Sequence, residues 1–270
     1  PPAQPPEARH IRLLPTLDPA APLTRLPLKT TVTALRLAAN EQTAAAEAEA
    51  EREDDTFGEE EMLGAGYQRR ATLEAVLPRW AAPATGATRL TGAQRGTLTH
   101  ELLARLPLSP TPTAAAIREH ALALCARNAT PDCDAEVLVA QLDLDAIEWF
   151  FATDLGRHML AHPSQVLREL PFTARKSVAD LNPEAGLAFP GEAVLLQGII
   201  DAMIDEGDTV TIFDYKTDRT HPALTIEDLV ERYRLQLELY GRAIKAIWQP
   251  QRVRMALVFL NARRIVWPFE

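Results

Sequence analysis

Two aspartates and a lysine occupy positions where a protein core would normally place aliphatic side chains. Asp201 lies in the apolar run 193–204, and Asp214 and Lys216 end the next one, 209–216. The segment 205–208, Asp-Glu-Gly-Asp, separates the two runs and predicts a β-hairpin. With a two-residue turn at Gly207 and Asp208, Asp201 faces Asp214 across the hairpin, and both side chains point to one side of the sheet.

Facing carboxylates of this kind need a compensating charge. At a separation of ~5 Å they repel by roughly 3 kcal/mol at an effective dielectric constant of ~20. Either one of them retains a proton or a cation lies between them, and oxygen ligands suit Mg²⁺ or Mn²⁺ better than Zn²⁺. Lys216 follows Asp214 by two residues and therefore lies on the same face.

An ammonium beside a bound metal ion can orient water or stabilise the charge that grows on a phosphoryl group. The three side chains therefore indicate a metal-dependent site that cleaves phosphodiesters. The alternative interpretation is a surface cluster of ion pairs.

Three sequence blocks resemble those of a known family. They are Gln197-Gly198-Ile199-Ile200-Asp201, then Asp214-Tyr215-Lys216-Thr217-Asp218, then Gln236-x-x-x-Tyr240. In order and spacing they resemble the PD-(D/E)XK nuclease superfamily, and within it the RecB-type nuclease domain at the C-terminus of AddA helicase–nucleases. The motifs are dense over 169–245, and the resemblance covers about 30–270.

The resemblance implies a metal-binding set. His100 ends a Gly-Thr-Leu-Thr-His block at 96–100 that is similar to the helical block whose histidine completes the metal shell in this family. It would bind Mg²⁺, or Mn²⁺ in its place, together with Asp201, Asp214 and the backbone carbonyl of Tyr215. Lys216 would position the attacking water.

Three further residues belong to the predicted catalytic set through the resemblance. Glu169, in Glu-Leu-Pro-Phe at 169–172, would polarise a metal-bound water or hold a second ion; alternatively it is an edge carboxylate paired with an arginine. Gln236 and Tyr240 are one helical turn apart and would brace Lys216 and contact a DNA phosphate. Otherwise Tyr240 packs inward while Gln236 is solvated.

The implied substrate is single-stranded DNA that emerges from a helicase during double-strand break processing. The sequence contains no G-x-x-x-x-G-K-[ST] phosphate loop, so we predict no ATP site here, and two cysteines, Cys125 and Cys133, are too few for the four-cysteine iron–sulfur cluster of some relatives. The helicase would belong to the same full-length polypeptide, which would have an AddB-like partner subunit. Two alternatives remain open: a catalytically silent module that docks a partner or DNA, and a sequence-specific restriction-type enzyme.

The predicted fold is α/β, a restriction-endonuclease-like mixed central sheet flanked by helices, with an added N-terminal helical region. The patterns predict strands over 166–172, 193–204, 209–215, 253–260 and 264–269. Helices are expected over 94–106, 112–125, 135–151 and 225–248, with another from Thr31 into the alanine-rich stretch.

Composition is that of a globular protein, with 270 residues, 47% of them hydrophobic, and a net charge of −9. The segment 47–61 holds nine acids and one base, whereas 215–270 holds ten bases and six acids. We predict a proline-rich lead-in or linker over 1–28 and a nuclease domain over 29–270 that includes an acidic loop at 47–61. No apolar run approaches the ~20 residues of a membrane span, so we expect no membrane contact and a cytoplasmic protein.

Overall fold

A computed structural model describes residues 29–32, 89–127, 134–177 and 192–270. The predicted segments 1–28 and 47–61, and the helix expected beyond Thr31, except its first positions, lie outside these residues. The chain divides into two compact units, Thr31–Ala174 with Leu196–Glu270, and Pro1–Thr30 with Arg175–Leu195. All the predicted site residues belong to the first unit. No helix among the described residues is long and apolar enough to cross a membrane.

Five helices precede the main strands within the described residues. They are α1 Gly92–Arg105, α2 Ala114–Ala126, α3 Ala135–Val139, α4 Leu144–Ala152 and α5 Asp154–Ala161. A threonine or aspartate caps each N-terminus by accepting a hydrogen bond from a backbone N–H of the first turn. These helices agree with the predicted helical region on the N-terminal side of the sheet.

The single helix predicted over 135–151 is wrong, because the structure has two helices, α3 and α4, with a break at 140–143. Asp143 accepts a hydrogen bond from the backbone N–H of Ala146 at 3.0 Å and so starts a new helix. Arg263 also donates to both carboxylate oxygens of Asp143, at 2.8 and 2.9 Å. The apolar spacing continues across the break because both helices bury side chains in one core. Helix α5 was not predicted as a separate element.

Six strands form one mixed sheet. They are β1 Lys29–Thr31, β2 Val166–Ser177, β3 Ala193–Asp205, β4 Thr209–Lys216, β5 Arg252–Phe259 and β6 Arg264–Val266. The order is β1-β3-β4-β5-β6, with β2 also paired to β3. β4 and β5 are parallel, whereas β4 is antiparallel to β3 and β6 to β5. The mixed α/β prediction is therefore confirmed, although β2 is longer and β6 shorter than expected.

A long helix, α6 Ile226–Trp248, connects the parallel strands β4 and β5, as such pairs require. Thr225 and Asp228 form the predicted capping box at its start. The helix ends at Gln249, whose φ of 54° is left-handed. Because α6 follows β4 directly, its inner face can reach the side chains at the end of that strand.

The β3–β4 hairpin has the predicted register. Ile204 pairs with Thr211 and Ala202 with Phe213 around a turn that contains Gly207, whose φ is +80°. One step further along this register, Asp201 faces Asp214. The register therefore brings the two carboxylates to the same side of the sheet, as the sequence predicted.

The two faces of the sheet have different partners. Phe213 and Tyr215 alternate toward the core formed with α1–α5, where the Tyr215 ring lies edge-on to Phe150 at 5.2 Å between centroids. Asp214 and Lys216 point to the opposite face and contact Gln236 of α6. The candidate site therefore lies between the end of the hairpin and α6.

Candidate active site

Asp201, Asp214 and Lys216 form a nearly buried cluster at the end of the hairpin. Asp214 is 2% exposed and Lys216 8%. The Lys216 ammonium lies 2.7 Å from Oδ2 of Asp214. Oδ2 of Asp201 accepts a hydrogen bond from the backbone N–H of Tyr215 at 2.8 Å, which fixes this carboxylate against β4.

His100 and Glu169 reach the same place from α1 and β2. Nδ1 of His100 lies 3.4 Å from Oδ2 of Asp201. One possible ligand atom from each of His100, Glu169 and Asp201 falls within 4.8 Å of the others. Three residues that are far apart in sequence thus converge on one point beside the hairpin.

Glu169 has an unusual backbone for a strand residue, with a φ of 49°. Such a left-handed conformation costs a non-glycine residue ~1–3 kcal/mol and is concentrated at functional sites. Within the described part of the chain no arginine pairs with Glu169. The arrangement therefore favours the interpretation of Glu169 as a site residue over that of an edge carboxylate in an ion pair.

The electrostatics of the site reflect its crowded carboxylates. Burial and the neighbouring Asp201 raise the pKa of Glu169 to about 7. Burial also raises the pKa of Asp214 to about 6, against the attraction of Lys216. For Asp201 burial acts in the same direction, but His100, Lys216 and the Tyr215 N–H together hold its pKa below the usual value. A cation in this site would replace the protons that these carboxylates otherwise retain.

Gln236 connects the cluster to α6. Its Oε1 accepts a hydrogen bond from Lys216 at 3.3 Å. Its Nε2 donates to Oδ1 of Asp214 at 3.3 Å and to the Tyr240 hydroxyl at 2.9 Å. Gln236 is only 8% exposed, so it is not the solvated residue of the alternative interpretation.

Tyr233 is a contact of the cluster that the sequence analysis did not single out. Its ring lies 4.0 Å from the Lys216 ammonium, and its hydroxyl donates to Asp218 at 2.8 Å. Tyr233, Gln236 and Tyr240 are spaced by three and four residues and so share one face of α6. That spacing was the only available signal, and it is equally typical of a core-facing tyrosine.

Gly198 of the first block has a packing reason. A Cβ at this position would lie 2.6 Å from the Phe172 ring and 3.0 Å from the Tyr240 ring. The two rings stack edge-to-face across it, with centroids 5.6 Å apart. The absence of a side chain therefore lets Tyr240 approach β3 and stay within reach of Gln236.

The residues present fit a divalent metal ion. One imidazole and three carboxylates can meet at the site, and carboxylate oxygens are the donors that Mg²⁺ and Mn²⁺ prefer. Oδ2 of Asp214 is buried and lies beside Lys216, yet it accepts no hydrogen bond from the described residues, so it retains a lone pair for a cation. The Tyr215 ring packs in the core, so any ligand from this residue is its backbone carbonyl.

A mixed sheet with a carboxylate pair and a lysine on one hairpin defines a class of enzyme. A family model described as the PD-(D/E)XK nuclease superfamily matches residues 66–266. The chain belongs to this nuclease superfamily.

Curated relatives narrow the comparison, and all three described here are A subunits of ATP-dependent helicase/nucleases. The chain is 34% identical to the one from Pelotomaculum thermopropionicum over 241 residues, 88% of this chain and 18% of that protein. It is 35% identical to the Moorella thermoacetica protein over 90% of this chain and 15% of the relative. The Lacticaseibacillus casei protein is 41% identical over 63% of this chain and 13% of its own length. The chain thus spans less than a fifth of these relatives.

Proposed function

We propose that this chain is the nuclease domain of an AddA-type helicase–nuclease and that it hydrolyses single-stranded DNA with the help of a divalent metal ion. The observation that carries the proposal is the buried cluster of Asp201, Asp214 and Lys216, onto which His100 and Glu169 converge. Buried carboxylates without a function would be replaced at no loss by aliphatic residues, since each costs desolvation energy.

His100, Glu169, Asp201, Asp214 and the Tyr215 carbonyl are the proposed ligands. Mg²⁺ is the proposed ion, with Mn²⁺ as a substitute. When bound, the ion would activate water and neutralise negative charge on the phosphate. The convergence of ligand atoms from α1, β2 and β3 supports this set.

Lys216 is proposed to position the attacking water and to stabilise the charge that develops on the phosphate. Asp214 and the Tyr233 ring both favour its charged form, and Gln236 fixes its direction. Gln236 and Tyr240 are proposed to act through Lys216, as positioning residues. Tyr240 is only 4% exposed, which favours this bracing role over a direct contact with a DNA phosphate.

The proposed partners follow from the names of the relatives and from the small share of their length that this chain spans. A helicase region of the same full-length polypeptide would deliver single-stranded DNA to the site, and an AddB-like partner would complete the assembly. The process served would be double-strand break repair by recombination.

The first experiment compares DNA cleavage by Lys216 variants in the presence of Mg²⁺ or Mn²⁺. The substrate is end-labelled single-stranded DNA. Lys216→Met retains the aliphatic stem but removes the charge, and Lys216→Ala removes both. Lys245→Ala is the matched control, because Lys245 lies on the exposed face of α6.

We expect cleavage by the parent and by Lys245→Ala, and a loss of at least about a hundredfold in both Lys216 variants, the usual effect of removing one transition-state donor. Circular dichroism establishes that the variants are folded. Equal cleavage by all four proteins would remove Lys216 from the mechanism. Absence of cleavage by the folded parent would favour the silent docking module.

A further inference from the structure

A second group of metal-ligating side chains lies away from the nuclease site. His158 belongs to the last turn of α5, His162 follows its end, and Glu206 lies in the β3–β4 turn. One potential ligand atom from each falls within 4.8 Å of the others. Nothing in the proposed nuclease mechanism uses these residues.

The contacts among these residues are direct. Nε2 of His158 lies 3.2 Å from Oε1 of Glu206. The two imidazole rings are 4.6 Å apart between centroids and inclined at 57°. The side chains therefore already converge on one point and need no large rearrangement to share an ion.

The tautomer of His162 is set by its backbone contact. Nδ1 of His162 lies 3.0 Å from the carbonyl oxygen of His158. A carbonyl oxygen can only accept, so Nδ1 carries the proton and Nε2 keeps its lone pair. A hydrogen bond from one ring nitrogen to a carbonyl is the arrangement that orients metal-binding histidines in proteins.

The local charges also favour a cation. The C-terminal end of a helix carries partial negative charge, and both histidines lie at the C-terminal end of α5. Arg254 is close enough to Glu206 for electrostatic attraction, but its guanidinium donates to both carboxylate oxygens of Glu270, at 2.7 and 3.2 Å. Glu206 therefore keeps an oxygen directed at His158.

This group is separate from the nuclease site. Glu206 is five residues from Asp201 along the hairpin, which corresponds to about 16 Å in a β-strand. The ligand types also differ, since this group offers two imidazoles and one carboxylate, whereas the nuclease site is rich in carboxylates.

We propose that His158, His162 and Glu206 form a second metal site, for Zn²⁺ or a chemically similar transition-metal ion, that ties the end of α5 to the β3–β4 turn. Two imidazole nitrogens and one carboxylate oxygen are a zinc donor set that leaves a fourth position for water. An ion that binds the folded chain but not the unfolded chain stabilises the fold. This site would therefore strengthen the connection between the helical region and the catalytic hairpin.

The test is a Zn²⁺ titration of the full 270-residue chain against a chromophoric chelator. All proteins carry Asp201→Asn, which weakens the nuclease site as a competing binder. The variants are His162→Gln and Glu206→Gln. His120→Gln is the matched control, because Nδ1 of His120 also faces a carbonyl four residues earlier, at 2.9 Å, but His120 lies outside the group.

We expect one equivalent of Zn²⁺ on the Asp201→Asn protein and on the His120→Gln control, and at least about tenfold weaker binding in the His162→Gln and Glu206→Gln variants. Zn²⁺ should also raise the unfolding temperature of the first two proteins but not of the last two. Zn²⁺ affinity that is the same in all four proteins, or no Zn²⁺ binding by the folded Asp201→Asn protein, would overturn the proposal. Neither result bears on the Lys216 experiment, which tests the nuclease function separately.

Discussion

Lys216 is restrained by three neighbours of different chemistry. A carboxylate oxygen of Asp214 lies 2.7 Å from its ammonium, the amide oxygen of Gln236 3.3 Å, and the Tyr233 ring 4.0 Å. An ammonium with these neighbours remains charged in a site that excludes most water. The lysine therefore has a fixed position relative to the carboxylates, which is what the proposed reaction requires.

Gln236 is the residue that links lysine, carboxylate and α6, so its loss should affect both stability and activity. Gln236→Leu removes an acceptor from Lys216 and a donor from Asp214. We expect the free energy of unfolding in urea to fall by about 1–3 kcal/mol. DNA cleavage should fall by between about tenfold and a hundredfold, because Lys216 is less well placed. Gln251→Leu, at an exposed position, is the control. Unchanged cleavage in Gln236→Leu would contradict the bracing role.

Residue types reveal part of this site in the sequence. Asp201 and Asp214 are conspicuous because charged side chains interrupt apolar strands, and a two-residue turn brings them together. Tyr233 is not conspicuous, because a tyrosine on the apolar face of a helix is ordinarily a core residue. Its contact with Lys216 depends on how α6 lies against β4. The left-handed backbone of Glu169 has no signal in its own sequence either.

At the level of elements, the close approach of α6 to β3 depends on Gly198. The rings of Phe172 and Tyr240 occupy the space where a side chain would begin. Tyr240 in turn accepts a hydrogen bond from Gln236. A change in β3 can therefore reach Lys216 through two residues of α6.

Gly198→Ala tests this connection. The added methyl group would displace one or both rings, so we expect a loss of about 1–3 kcal/mol in the free energy of unfolding, measured in urea. Cleavage should fall as well. The double variant with Phe172→Leu offers a smaller side chain and should recover part of the loss in stability. If Gly198→Ala is equally destabilising with and without Phe172→Leu, crowding against Phe172 is not the cause.

Elements with strong local signals were predictable. The hairpin register followed from its turn, and α6 from its capping box and regular apolar spacing. The break between α3 and α4 was not, because apolar residues keep helical spacing across it. Asp143 decides it through its cap and its ion pair with Arg263, a residue 120 positions away. Contacts of such long range leave no local pattern to interpret.

For the whole molecule, charge predicts weak DNA binding by this chain alone. The net charge is −9, and although the bases of 215–270 exceed the acids by four, several are engaged with acids, such as Arg254 with Glu270. Few phosphate contacts release few counterions, so affinity is low and depends little on salt. In the proposed full-length enzyme the helicase region would supply the DNA to the site.

Filter binding of single-stranded DNA at low salt measures this affinity, with Ca²⁺ in place of Mg²⁺ to prevent cleavage. We expect a dissociation constant above about 1 μM, in the range of non-specific binding. The dependence of its logarithm on the logarithm of salt concentration should be shallow. Nanomolar binding with a steep salt dependence would mean that the chain presents an extended basic path that its net charge conceals.

The central claim is that a divalent ion is bound by the facing carboxylates of the hairpin. The most direct measurement is a Mn²⁺ titration in which electron paramagnetic resonance follows the free ion. It compares the parent, the double variant Asp201→Asn/Asp214→Asn, and the control Asp145→Asn, at an exposed position of α4. The parent and the control should bind one equivalent more than the double variant. Equal binding by all three folded proteins would contradict the account.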